Sequence, residues 1–414
     1  MTDVYELRCP LCGRSYRPRD VQYSCPDCGE VGTLDVLYDY DTLRRRLDRR
    51  RLAHLPDAGM WRYSALLPIA PDALLPPLRV GWTPLYDAPR LAADLGINRA
   101  WLKDEGQNPT GSLKDRASAL IVARAQADKF PIVSAASTGN AAAALAGVAA
   151  SVGQDVVIFV PASAPEAKIA QLLVYGARVL LIEGTYDQAF DLCLALSVEQ
   201  GWYCRNTGIN PYTAEGKKTA ALEIAEQLSW RVPDVVVVSV GDGNIIGGVH
   251  KGFVDLHRLG WIERIPRFIG VQAAGSSALV DAWQRGLSAA EMVPMPADTI
   301  ADSISAGLPR DRVKALRAVR ETAGAFIAVP DADIVAALPR LARLTGVFAE
   351  PAAAAAYAGA RLAVQSGVIR PDESALLLIT GNGLKDVRRA QEAVGKAARA
   401  QPDPASVRQV LNSM

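Results

Sequence analysis

From about residue 99 the chain alternates short apolar runs with longer stretches of helical period. The runs 132–134, 156–160, 179–182, 202–205, 235–240, 268–272 and 375–379 read as strands. Helical stretches of roughly 10 to 20 residues lie between most of them. Many of the strands are apolar on both faces, the pattern of parallel sheets covered on each side. The class is therefore α/β, with ligand sites expected where strands end. No internal repeat appears. The segment from Pro68 to Pro84 is proline-rich and reads as a linker wrapping the body. Residues 396–414, rich in Ala, Gln and Pro, read as a loose tail.

Composition narrows this picture. The chain has 414 residues, enough for two or three domains, and 50% of them are hydrophobic, ample for large cores. Its net charge of +1 gives no electrostatic case for nucleic acid or an anionic membrane. A basic stretch, Leu43-Arg44-Arg45-Arg46-Leu47-Asp48-Arg49-Arg50-Arg51, reads as a solvated helix face in preference to a nucleic-acid contact. There is no apolar run of about 18 residues, so no membrane span is expected. Met1 through Glu6 carries no charged-then-apolar leader pattern, and a cytoplasmic protein is expected.

Four of the six cysteines form Cys9-Pro10-Leu11-Cys12 and Cys25-Pro26-Asp27-Cys28, two C-x-x-C pairs. The spacer between them has twelve residues, which lets two knuckles wrap one tetrahedral zinc. Gly13 and Gly29 follow the second cysteine of each pair, where the chain must turn tightly. A structural zinc ribbon is expected. A degenerate metal-free ribbon and a redox pair are the competing readings, the latter without the βαβ unit it requires. Cys193 and Cys204 read as core.

The chemistry starts from Lys114. It ends the loop Asn108-Pro109-Thr110-Gly111-Ser112-Leu113 and opens a helix with apolar Ala117, Leu120 and Ile121. The positive end of a helix disfavours an ammonium and leans the amine toward its neutral, nucleophilic form. Such an amine can form a Schiff base with an aldehyde. A solvated first-turn lysine is the plain alternative. Three other segments supply what one aldehyde cofactor needs. Ser137-Thr138-Gly139-Asn140 follows a strand, so that Asn140 can donate to a phenolate-like oxygen or merely cap its helix. Gly241-Asp242-Gly243-Asn244-Ile245 follows the all-apolar strand at 235–240 and makes an anion cradle of backbone N–H groups. Leu376-Leu377-Leu378-Ile379-Thr380-Gly381 is another buried strand, ending in a hydroxyl that could meet a ring nitrogen or simply turn the chain.

Together these segments resemble the fold-type II pyridoxal-phosphate enzymes, and within them the threonine synthase family. Residues 108–116 resemble the family's N-P-T-G-S-F-K-D-R, and 137–140 its S-T-G-N. Asn210-Pro211-Tyr212 with Glu215-Gly216-Lys217-Lys218-Thr219 is similar to N-P-Y-R-x-E-G-Q-K-T. Phe348-Ala349-Glu350-Pro351-Ala352 resembles F-x-E-P-A, and 380–386 resembles T-G-H-G-L-K-D. The resemblance spans roughly residues 80 to 390. It implies two three-layer α/β domains with parallel-rich sheets, a larger one from 39–115 and 216–395 and a smaller one from 116–215. An N-terminal zinc ribbon, 1–38, precedes them. It also implies pyridoxal 5'-phosphate on Lys114, with Asn140 facing its O3′ oxygen, Gly241 to Ile245 holding its phosphate and Thr380 meeting its nitrogen. Ser112, Ser137, Thr138, Gly139, Asn206 and Thr213 are implied to face the amino-acid substrate. A homodimer is implied by the family alone.

A hydroxyl partner leaves the ring nitrogen neutral, which suits elimination and replacement at the β or γ carbon. O-phosphohomoserine is the leading substrate. β-Replacement on O-phosphoserine, as in cysteate synthase, stays open, as do threonine or serine deaminase and diaminopropionate lyase. A catalytically silent cofactor-binding homologue is the reading from another class. The chain departs from the family at Thr213, which stands in the place of an arginine that helps bind the substrate phosphate. Arg310, Arg312 and Lys217 are the candidates for a substitute charge.

Overall fold

A computed structural model describes residues 4–414, except 53, 56, 163 and 165. It contains three sheets. The first is small and antiparallel, β1 (Val4–Arg8) flanked by β2 (Ser15–Tyr16) and β3 (Asp35–Tyr38), and it carries the four cysteines on its turns. Residues 1–3 of the expected ribbon lie outside the described residues.

The largest sheet combines distant parts of the chain. Its strands are β4 (Leu85–Asp87), β5 (Arg99–Asp104), β10 (Val235–Ser239), β11 (Arg267–Ala273), β12 (Ala325–Val329) and β13 (Ser374–Ile379). Their order is β12-β11-β10-β13-β5-β4, parallel except for the antiparallel edge strand β4. The third sheet runs β8-β7-β6-β9 and is wholly parallel. It uses β6 (Ile132–Ala136), β7 (Asp155–Pro161), β8 (Arg178–Ile182) and β9 (Tyr203–Cys204). All seven strands read from the pattern are present. That reading passed over β5, which carries charge at both ends, and β12, which is apolar throughout.

Helices cover both faces of the large sheet. Every residue of β10 is buried. The helix Pro351–Gln365 packs over this sheet with a run of alanines, whose small side chains let backbone approach backbone. The helices Lys114–Ala127, Tyr212–Gln227 and Asn244–Arg258 pack on one another. At their crossing, a Cβ on Gly216 would meet the Arg116 carbonyl at 2.3 Å, so only glycine fits.

A buried ionic cluster pins the loop before Lys114. Arg116 bonds Glu105 and Glu223, and Lys103 bonds Glu223 at 2.8 Å; all four side chains are fully buried. Asp115 accepts from the Thr110 N–H at 2.7 Å and from its hydroxyl. The Asp and Arg after Lys114 are thus scaffolding that fixes where the lysine points.

The basic stretch forms the helices Tyr40–Arg46 and Arg49–Leu52. Arg44 donates to the Arg258 carbonyl at 2.7 Å and Arg49 to that of Trp261, so part of its charge is spent on the protein's own backbone. The linker from Pro68 does wrap the body: the N–H of Gly81 donates to Asn108 Oδ1 at 2.9 Å. The expected loose tail needs correcting. Residues Pro404–Ser413 form a helix, started by Asp403, whose carboxylate accepts from the N–H groups of Ala405 and Ser406. None of its residues is buried. Among the described residues no helix is long and apolar enough to cross a membrane.

Candidate active site and four-cysteine cluster

Lys114 opens its helix, as the loop-to-helix reading predicts. Its amine is held below the usual lysine range. Burial is the chief cause and the charge of Arg205 the next, while Asp242 and Glu350 oppose them. Asn140 starts the helix Asn140–Ala150 but does not cap it. Its amide donates instead to both carboxylate oxygens of Glu350, at 2.8 and 3.0 Å, and to Ser303 Oγ at 3.3 Å.

The loop Gly241–Asn244 links β10 to the helix Asn244–Arg258. Gly243 has φ +91°, and a Cβ there would meet the Asp311 carbonyl at 2.9 Å. The position therefore needs glycine twice over. Thr380 follows directly on β13, and its carbonyl accepts from the Leu113 N–H at 2.9 Å, tying the strand end to the lysine loop.

Lys114, Asn140, Gly241, Asp242, Gly243, Asn244, Ile245 and Thr380 all line one cleft of about 520 Å³. The sequence reading thus put together, from four separate segments, residues that do share a cavity. A second cleft of about 700 Å³ adjoins it through Asn140, Ser303, Glu350 and Ala352. Thr138 and Gly139 line this one, with Lys168, Asp302 and Lys385.

The other residues expected to face substrate do not line either cleft. Ser112 is fully buried and its Oγ accepts from the Lys114 N–H at 3.4 Å. Ser137 Oγ accepts from the Gly139 N–H at 3.3 Å, shaping the turn. Asn206 Oδ1 accepts from the Ala136 N–H at 2.8 Å, bracing the end of β6. Thr213 is fully buried behind the glycine loop: it donates to the Asn210 carbonyl at 2.8 Å and accepts from Asn244 Nδ2 at 3.2 Å. Each is engaged by a nearby backbone group or loop side chain, though Asn206 Nδ2 keeps no partner among the described residues.

Sequence reasoning gave no role to Glu350, which lines both clefts and orients Asn140. Burial raises its carboxyl above the usual range, against the pull of Asn140 and Lys114. Its place in Phe348–Ala352 was the available signal. Arg205, Thr207, Ser303 and Asp311 carried no signal that spacing could reveal. Of the cations considered as substitutes at Thr213, Arg310 is engaged with Glu30 at 3.1 Å and Asp187 at 2.9 Å. Arg312 donates to the carbonyls of Ala289 and Pro309. Lys217 is the one of the three whose side chain reaches the glycine loop, donating to Asn244 Oδ1.

In the N-terminal sheet the ligand atoms of Cys9, Cys12, Cys25 and Cys28 all lie within 4.8 Å of one another. Two equivalent knuckles hold them. The Gly13 N–H returns to the Cys9 carbonyl and the Gly29 N–H to the Cys25 carbonyl, each at 2.9 Å, with both glycines at positive φ. Tetrahedral zinc with Zn–S of ~2.3 Å needs sulfurs about 3.8 Å apart. Cys12 and Cys25 stand at 3.7 Å. Cys193 and Cys204 are fully buried in a separate apolar cluster.

Comparison with known proteins now fixes the class. The family described as "Pyridoxal-phosphate dependent enzyme" matches residues 77–381, so this is an enzyme that works with that cofactor. Solved structures agree on the fold. The chain is similar to diaminopropionate ammonia lyase from Escherichia coli, with TM-score 0.64 and 20% identity over 75% of this chain and 87% of that one. It is similar to threonine deaminase isoform 2 from Solanum lycopersicum, with TM-score 0.63 and 24% identity over 76% and 88%. Its sequence is 36% identical to a threonine synthase of Methanocaldococcus jannaschii, over 98% of this chain and 99% of that protein. It is 40% identical to one from Methanosarcina acetivorans, over 92% and 93%. The chain belongs to the threonine synthase family of pyridoxal-phosphate-dependent enzymes, and is a lyase of that kind.

Proposed function

We propose that this enzyme converts O-phosphohomoserine to threonine, with Lys114 as its proton-transfer group. The convergence of Lys114, Asn140, the 241–245 loop and Thr380 on one cleft carries the reading. Bound pyridoxal phosphate supplies an electron sink beside the substrate Cα. Lys114 holds the cofactor, and its freed amine, kept toward the neutral form by burial, moves the Cα proton. The N–H groups of Gly241 to Ile245, at a helix N-terminus, take the cofactor phosphate. Asn140, held by Glu350, would face the ring oxygen, and the Thr380 hydroxyl would meet the ring nitrogen. The turn at Ser137-Thr138-Gly139, just ahead of a second helix N-terminus, receives the substrate carboxylate.

The four cysteines hold one structural zinc, supported by their mutual distances and paired knuckles. The chain divides into ribbon (1–38), larger domain (39–115 with 216–395) and smaller domain (116–215), and works as a homodimer like others of its family. An uncharged Thr213 keeps a second reading, β-replacement on O-phosphoserine, where the same leaving group sits on a shorter chain.

The test is to supply O-phosphohomoserine, O-phosphoserine, threonine and serine separately, measuring threonine, phosphate, ammonia and keto acid. Threonine plus phosphate from the first substrate is expected. Keto acid and ammonia from threonine, with no turnover of either phosphate ester, overturns the proposal. Borohydride should fix the cofactor to the Lys114 peptide, and label on another lysine refutes that assignment.

A further inference from the structure

Two buried cations flank the glycine loop without an anion in contact. Lys217 is fully buried, and its only hydrogen bond among the described residues goes to the neutral Asn244 side chain. Arg205 is 1% exposed. Its Nε donates to Ser118 Oγ at 3.4 Å and its Nη1 to Thr207 Oγ1 at 3.2 Å, while Nη2 has no partner. Other buried cations here are handled differently. Arg116, Lys103, Lys218 and Lys251 each bond a carboxylate directly.

The nearest acids are already engaged. Asp311 accepts from Thr33 and Asn244 and faces Lys314 at 3.8 Å. Asp242 Oδ1 accepts from the Arg310 N–H at 3.3 Å. Burial, then Lys114 and Arg205, pushes the Lys217 amine well below the lysine range, and burial lowers Arg205 to about 10, so an anion seated beside them would favour the charged form of both. Neither side chain lines the cleft itself, but each bonds a residue that does, Arg205 to Thr207 and Lys217 to Asn244.

We infer that Lys217 and Arg205 form the recognition site for the phosphate monoester of the amino-acid substrate, an inference that rests on the substrate class proposed above. The cofactor's own phosphate is assigned above to the neutral N–H cradle at the N-terminus of Asn244–Arg258, and Lys217 approaches that loop only through the Asn244 side chain. Helix geometry explains how the charge is placed. Thr213 and Lys217 are four residues apart on one helix, hence on one face, and both touch Asn244. A positive charge at either position serves the same neighbourhood. Here the uncharged residue stands at 213 and the cation one turn later.

The test is equilibrium titration of the holoenzyme with two amino-acid phosphonates, matched in length to O-phosphohomoserine and to O-phosphoserine. Lys217→Gln should weaken the preferred phosphonate by about ten- to hundredfold, the worth of one charged hydrogen bond. Norvaline, which lacks the anion, should bind unchanged, and pyridoxal phosphate titrated into the apoenzyme should weaken far less than the phosphonate, since Lys217 touches its loop only through Asn244. Adding Thr213→Arg to Lys217→Gln should restore phosphonate affinity. Lys217→Arg, which keeps the charge should the neutral variant fail to fold, should bind the phosphonate nearly as the wild type, with Arg205→Gln weakened. Loss of cofactor affinity in step with phosphonate affinity, or no loss of either, overturns the inference. Lys217-dependent binding of the shorter phosphonate alone keeps the site and overturns the O-phosphohomoserine reading instead.

Discussion

Replacing Arg116 by methionine removes the hub of the buried cluster that sets the position of Lys114. Arg116 makes six hydrogen bonds, four of them to the carboxylates of Glu105 and Glu223. After substitution Glu223 keeps Lys103 at 2.8 Å, but Glu105 is left with only the neutral donors Thr83 and Asn108. Removing one partner of a buried ion pair costs about 3–5 kcal/mol. The titration of Glu223 sets the pH dependence, an effect that Arg116 shares with Lys103. Burial alone would push its carboxyl up, but Arg116 and then Lys103 overcome this and bring it from 4.5 down to about 2. That depression corresponds to about 3 kcal/mol of stability at neutral pH. A depressed carboxyl stabilises the fold above its unfolded value, and the contribution is lost as pH falls from 4.5 toward 2. The gap between wild type and Arg116→Met should therefore be widest at neutral pH and should narrow on acidification. Urea unfolding followed by tryptophan fluorescence, at neutral pH and in mild acid, measures both. Arg116→Lys should recover only part of the loss, since an ammonium cannot make the paired fork contacts. A cost under about 1 kcal/mol, or a gap that widens in acid, would refute the reasoning.

Burial, then the charge of Arg317, lowers His250 from 6.5 to about 4. Its contribution is present above pH 6.5 and is lost as pH falls toward 4, about 3 kcal/mol in all; His250→Gln should flatten the stability curve across that window, and an unchanged curve would contradict this. Thr33, five residues past Cys28, donates to Asp311 at 2.7 Å, and Asp311 in turn holds Asn244 of the glycine loop. Thr33→Val should remove about 1 kcal/mol and weaken cofactor binding about fivefold by fluorescence titration; unaltered affinity would mean that the ribbon does not brace the loop. Metal analysis should find one zinc per chain, and a chelator should unfold the ribbon before the catalytic body releases its cofactor. Purified protein with no zinc and an ordered ribbon would refute the metal assignment.

Much of the cleft that gathers Lys114, Asn140, Gly241 and Thr380 was legible because those residues sit at punctuation marks. Asn140, Gly241 and Thr380 each follow an apolar run that ends in Gly, Asn or Thr, and strand ends are where parallel sheets place their ligands. Lys114 was legible because a polar loop passes abruptly into an apolar helical period. The substrate side was not. Ser112, Ser137 and Thr213 carry suitable groups at suitable spacing, yet each engages a neighbouring N–H or carbonyl, and Asn206 commits its carbonyl oxygen to Ala136 while its Nδ2 has no partner among the described residues. Spacing records which side chains are available, not which remain free.

The sequence by itself determined the local geometry: the two cysteine knuckles, the strand-to-helix turns, the glycine that Gly243 must be, and the parallel, doubly covered character of the sheets. These follow from nearest neighbours along the chain, where periodicity and backbone preference act directly. Only the tertiary structure decided that β13 lies between β5 and β10. That pairing carries Thr380 to the lysine loop across more than half of the chain. The same is true of Asn140 turned to Glu350, and of Lys217 and Arg205 left buried beside Asn244. Such contacts join segments whose separate patterns hold no reference to each other. They are selected by which packed arrangement buries the most apolar surface while leaving the fewest charges unanswered.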